Sequence, residues 1–126
     1  MPASIRQDFS KFFDVDLPAG ESWEKQFLAL MAGKVECKRD RMAHRTGNVF
    51  IEYQFQGKPS GLAITEAPWW AIGIDGPSGD VETAILASVE WLRAKCRPLY
   101  KSARDISGGD GGATRGILLR MDDFRS

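Results

Sequence analysis

The chain has 126 residues, a length that suits one compact domain, and 43% of them are hydrophobic, enough to bury a core without disulfide or metal staples. Seventeen basic and seventeen acidic residues cancel, which excludes a general attraction to polyanions and makes any basic patch local. No stretch approaches the ~18 consecutive apolar residues of a membrane span, "MPASIRQDFSKFF" has no apolar core of signal-peptide length, and Cys37 and Cys96 lack metal-ligand spacing, so the expectation is a cytoplasmic protein with reduced, buried thiols.

In chain order, residues 1–19 are mixed, and Pro18 and Gly20 break them from the next segment. A helix is predicted from about Glu21. Trp23, Phe27, Leu30 and Met31 fall on one face, and Gly33 stands where a C′ glycine would end it. Strands are predicted over 34–40 and 48–56, bounded by Thr46-Gly47-Asn48 and Gly57-Lys58-Pro59. The apolar run Trp69 to Ile74 reads as a third strand, buried on both faces, with Trp69 and Trp70 both in the core. After a turn at Gly76-Pro77-Ser78-Gly79, a second helix is predicted over 80–97. Its stripe is Val81, Ile85, Val89, Leu92 and Cys96, and Pro98 stops it. "SGGDGGATRG" reads as a mobile connector, Ile117 to Met121 as a last strand, and "DDFRS" as a tail. The expected fold is α/β (α+β): one small mixed sheet with an N-terminal helix, a three-strand meander, a second helix and a last strand.

The first strand carries Glu36, Lys38 and Asp40 in strict alternation. If it forms an antiparallel hairpin with the next strand, pairing Asp40 with Asn48, then Glu36 stands opposite Glu52. Directly opposed side chains lie ~5 Å apart at Cβ. Carboxylates that close repel unless a cation sits between them, and oxygen ligands with waters left in place are how Mg²⁺ is commonly held. The same alternation also arises in a sheet with one wet face. "KRDRMAHR" gathers Lys38, Arg39, Arg41, His44 and Arg45, the one local basic cluster, and such groups give sequence-independent contacts to phosphates. A solvated loop reads the same way. Ser60 and Thr65 could donate to phosphates or cap a turn.

"VECKRD", "TGNVFIEY" and "GKPSGLAITEAPWW", with a weaker echo in "GGDGG…GILL", resemble small phage-encoded proteins related to the PD-(D/E)XK (restriction-endonuclease-like) nuclease superfamily. The resemblance implies metal-dependent hydrolysis of phosphodiester bonds in DNA, with branched or recombining DNA as one substrate class. It implies Glu24 as the helix glutamate, Glu36 and Glu52 as ligands of Mg²⁺ or Mn²⁺ with Asp40 as a further ligand, and Lys38 beside the attacked phosphate. Gln54 occupies the family's lysine position. Arg39, Arg41, His44 and Arg45 would contact DNA, and a branched substrate would suit a homodimer. Gln54 favours an alternative: a non-catalytic nucleic-acid- or protein-binding module with a decayed site. A third reading is a phage-type regulatory protein acting by protein contact.

Overall fold

The computed structural model describes residues 17–108 and 110–125; the mixed segment 1–16 lies outside them. The chain divides into two compact units, residues 1–33 and 34–126. The described part of the first is helix α1 (Leu17–Ala32). It begins earlier than the sequence suggests. Pro18 falls in the first turn, where its missing N–H leaves no bond unmade. Gly33 closes the helix as expected, its N–H donating to the Leu30 carbonyl at 3.1 Å. The expected stripe is present as a face, with Trp23 and Phe27 rings 5.9 Å apart, but Trp23, Phe27 and Met31 are exposed.

The second unit is α+β and holds two sheets. The first contains β1 (Val35–Asp40), β4 (Trp69–Asp75) and β5 (Val81–Ser88) in the order β1-β4-β5. β1 runs parallel to β4, and β5 antiparallel to it. The second contains β2 (Asn48–Phe55), β3 (Lys58–Pro59), β6 (Asp105–Gly108) and β7 (Thr114–Arg120) in the order β3-β2-β7-β6, antiparallel throughout. Two short helices, α2 (Ala43–Thr46) and α3 (Val89–Cys96), complete the regular elements. One core joins Trp70, Ile72 and Ile74 of β4, Val49 and Ile51 of β2, Ile117 and Leu119 of β7, and Leu92 of α3.

Three sequence expectations change. The single sheet is two sheets. The helix over 80–97 is a strand followed by a helix, because residues four apart share a face in a strand as well as in a helix, so Val81, Ile85 and Val89 cannot tell the two apart. The turn decides: Gly79 N–H donates to Gly76 C=O at 3.0 Å, and the returning segment pairs with β4. Ser88 then starts α3, its Oγ accepting from Trp91 N–H at 3.0 Å. The third change concerns β1 and β2, which form no hairpin. Asp40 Oδ1 accepts from the N–H groups of Met42 and Ala43 at 2.9 and 2.8 Å and starts α2, which turns the chain away into the second sheet. Gly47 ends α2 in the left-handed region at φ 74°.

The last strand starts at Thr114, earlier than expected, and the chain closes in a 3₁₀ turn, Met121–Arg125, whose Phe124 stacks against Trp91. On the outer face of the second sheet the Phe50 ring lies across Gly108 and Gly116. A side chain at Gly116 would collide with it, so the glycines leave the room the ring fills.

Candidate functional site

The β1 row answers the alternation. In the parallel register Glu36, Lys38 and Asp40 are the partners of Trp70, Ile72 and Ile74, so they share the core face at the rim of the first sheet. Lys38 Nζ is 2.8 Å from Glu36 Oε2 and 5.0 Å from the centre of the Trp70 ring. Thr65 Oγ1 donates to Glu36 Oε1 and accepts from Trp70 Nε1, both at 3.3 Å. Asp40 uses its second oxygen on Phe50 N–H at 2.9 Å, which ties β1 to the start of β2. The row therefore closes an edge over an apolar ring.

The structure does not bring Glu36 and Glu52 together. Glu52 stands opposite Gly116 in the other sheet and shares the outer face with Phe50, so it does not face Glu36. Asp40 accepts three backbone N–H bonds, and the nearest cation to Glu36 is the Lys38 ammonium. Among the described residues no group of three or more His, Cys, Asp or Glu side chains could hold a metal ion. Gln54 pairs with Pro59 and Arg115 in the second sheet, and Glu24 is exposed on α1.

The basic segment is partly committed. Arg39 donates Nε and Nη2 to the Asp75 carboxylate at 2.7 and 3.0 Å, and Nη2 to the Gly79 carbonyl at 2.8 Å. Asp75 is buried, and Arg39 first, then the more distant Arg41 and His44, hold its carboxyl below the usual range. Arg41, His44 and Arg45 are exposed around α2.

A cavity of about 380 Å³ lies elsewhere, between β2 and the segment 93–100. Ile51 and Ile117 of the core floor it, and Leu62, Cys96, Tyr53 and Tyr100 wall it. Three features shape it. A bulge between Glu52 and Gln54 leaves Tyr53 as the extra residue, which re-aims its side chain. Gly61, at φ 49°, lets the 3₁₀ turn Gly61–Ala63 press on the Glu52 carbonyl, where a side chain would collide. Arg93 clamps that loop to α3 by donating to Leu62 C=O at 3.1 and 3.0 Å and to Thr65 C=O at 3.0 Å. Arg97 is exposed at the rim, and among the described residues its guanidinium has no hydrogen-bond or ion-pair partner.

The Tyr53 hydroxyl donates to Asp105 Oδ1 and Oδ2 at 2.8 and 2.9 Å. Lys101 N–H and Arg115 Nη2 donate to the same carboxylate at 2.9 and 3.1 Å. The Asp105 side chain is only 2% exposed. Burial pushes its acidity toward the neutral form, but the donors from Lys101, Tyr53 and Arg115 together win and hold it below the usual carboxylate range. Burial raises the Tyr53 phenol above its ordinary value, and burial pushes the Cys96 thiol up to about 12. No sequence signal joined Tyr53, Asp105 and Arg115, which lie on three strands. The composition of "KCRPLYK", cations around a Cys and a Tyr, was the one local hint of the cavity wall. Cys37, expected buried, is exposed; Trp70 is core but Trp69 is half-buried.

The second unit is a small two-sheet α+β fold with an apolar, arginine-rimmed cavity among its described residues. Comparison with protein-family models, with curated proteins and with solved structures finds no match. No helix among the described residues is long and apolar enough to cross a membrane.

Proposed function

We propose that the chain is a non-catalytic binding module whose cavity takes an apolar group carrying an anionic head. The observation that carries this reading is the cavity itself. Its volume falls within the ~300–1,000 Å³ of ligand sites, its floor is core-grade apolar surface, and a free guanidinium stands at its rim. The groups around it are poor reagents. A thiol at about 12 supplies almost no thiolate at neutral pH, and the Tyr53 hydroxyl is engaged by Asp105.

The test is an NMR titration with 4-phenylbutanoate, tracking the methyl resonances of Ile51, Leu62 and Ile117. Saturable shifts are expected. Ala63→Trp, which changes an exposed lining residue and fills the cavity, removes them, and Arg97→Glu weakens binding at least fivefold. Unshifted methyl groups at millimolar ligand would overturn the reading.

A second reading, DNA binding, is favoured by the exposed guanidinium groups of Arg41 and Arg45 around α2, with the exposed His44 between them. Replacing Arg41 and Arg45 with alanine would then weaken binding to all sequences and flatten its salt dependence. Metal-dependent cleavage of DNA through Glu36, Lys38 and Glu52 has lost the cross-strand pairing on which it was built. An assay on supercoiled and four-way branched DNA with Mn²⁺, comparing the parent with Glu52→Gln, tests it directly.

A further inference from the structure

The two sheets end in four edge strands, β1, β5, β3 and β6. Three are guarded against further pairing by devices that edge strands commonly use. β1 carries Glu36, Lys38, Arg39 and Asp40. β3 is two residues long, and one of them is Pro59. β6 is four residues long and turns the Asp105 carboxylate inward, where it is buried. β5 has none of these guards. It is eight residues long, VETAILAS, and Val81, Thr83 and Ala84 are exposed. Its one charged side chain, Glu82, is drawn back onto the preceding turn, where it lies over Gly76 and accepts from Ser78 Oγ at 3.0 Å. The register shift against β4 lies at Ile74 and Asp75, so residues 83–88 pair regularly.

The ladder shows which groups of β5 are open. Val89 N–H donates to Pro68 C=O at 2.9 Å, in step with the β4–β5 register. Bonded and non-bonded pairs alternate along an antiparallel ladder, so Thr83, Ile85 and Ala87 turn their N–H and C=O groups to β4. Ala84 and Leu86 turn theirs outward, and among the described residues no strand pairs with them. We infer that β5 pairs antiparallel with β5 of a second copy of this chain, about a two-fold axis through Ile85. Three observations select that occupant. The open groups stand symmetrically about Ile85, so Ala84 of each copy meets Leu86 of the other and exchanges both backbone bonds with it. Ile85 packs against the core yet is only half-buried, and the axis sets it beside its counterpart, which closes the rim of the core. The formal net charge is zero, so copies do not repel one another in general, and β5 brings no charge into the ladder. The pairing joins two three-stranded sheets into one of six strands. A ladder of about five residues per copy is smaller than the ~1,200 Å² at the low end of stable interfaces, so the dimer forms and dissociates with concentration. The inference is independent of the cavity reading.

The test is sedimentation equilibrium of the full chain from about 10 to about 500 µM, the range a small interface calls for. The weight-average mass should rise toward twice that of one copy. Ala84→Pro should hold it at one copy throughout while thermal unfolding stays cooperative, because proline removes an N–H that β4 does not use. Ala84→Lys, which puts a charge into the ladder without touching the backbone, should do the same and serves if the proline variant does not fold. In the parent, the Ala84 and Leu86 amide protons should exchange with deuterium about fivefold more slowly at the top of the concentration range than at the bottom. A single-copy mass at the top of the range overturns the inference, and so does a dimer that survives both variants, as it would if the exposed Trp23 and Met31 of α1 held the copies together. Growth past two copies would mean that β5 takes an unlike edge, which does not close on itself, and would overturn the two-fold pairing.

Discussion

The β1 row and the cavity wall contrast in what they display and what they do. β1 carries three charged residues in alternation, the kind of pattern that suggests a catalytic site, and each is engaged internally: Glu36 with Lys38 and Thr65, Lys38 over Trp70, Asp40 on three N–H groups. The cavity wall is assembled from β2, α3, β7 and two loops, from residue types that attract no notice in sequence, and it is concave. The lesson is that charge at an edge can be packing chemistry. A strand that borders a large ring must cover it, and a paired Lys and Glu do so with their aliphatic stems.

The largest expected effect separates the two regions through their cysteines. Cys37 on β1 is exposed, while Cys96 is buried with its thiol at about 12. At pH 8 a disulfide reagent should modify Cys37 far faster than Cys96, since Cys37 is exposed to the reagent and burial keeps Cys96 from forming the reacting thiolate. Stopped-flow absorbance on Cys37→Ser and Cys96→Ser proteins reads this. Comparable rates would mean that the cavity wall opens readily.

Asp105→Ala should cost about 3 kcal/mol in urea unfolding, because it removes a buried acceptor from Tyr53, Arg115 and Lys101 at once. The pH dependence has a definite sign. The Asp105 carboxyl is held low in the folded protein, so its contribution is complete above the unfolded value of about 4 and is lost as pH falls through the folded value. Asp105→Asn should flatten that acid limb, leaving the part due to Asp75, which Arg39 lowers in the same sense. Tyr53 acts at the other extreme. Its raised value makes a contribution present below about pH 10 and lost as pH rises.

Asp40→Ala should cost about 2 kcal/mol, since one carboxylate satisfies both the start of α2 and the start of β2. Glu36→Gln and Lys38→Met should each cost less than about 1 kcal/mol, because both side chains are more than a third exposed and the pair is screened. A double-mutant cycle on this pair reporting a coupling above about 2 kcal/mol would place β1 with the cavity wall in importance and break the contrast.

Much of the fold was legible. The Gly33 stop, the bounds of β1, β2 and β4, and the turn at Gly76–Gly79 come from local chemistry that a sequence displays: glycine at helix ends and turns, and apolar periodicity in strands. The switch at Ser88 was not legible, because a period of four fits both a strand and a helix and only pairing with β4 chose between them.

The sequence by itself determined which segments are apolar, where the chain turns and that Glu36, Lys38 and Asp40 share one face of a strand. Tertiary structure alone decided which strand that face lies beside. Registry depends on contacts between residues far apart in the chain: Asp40 sent β2 into the second sheet, and β4 took its place beside β1. The cavity is of the same kind. Ile51, Tyr53, Leu62, Cys96, Tyr100 and Ile117 meet only after both sheets and α3 have packed, because concavity is a property of how elements meet and no single element carries it.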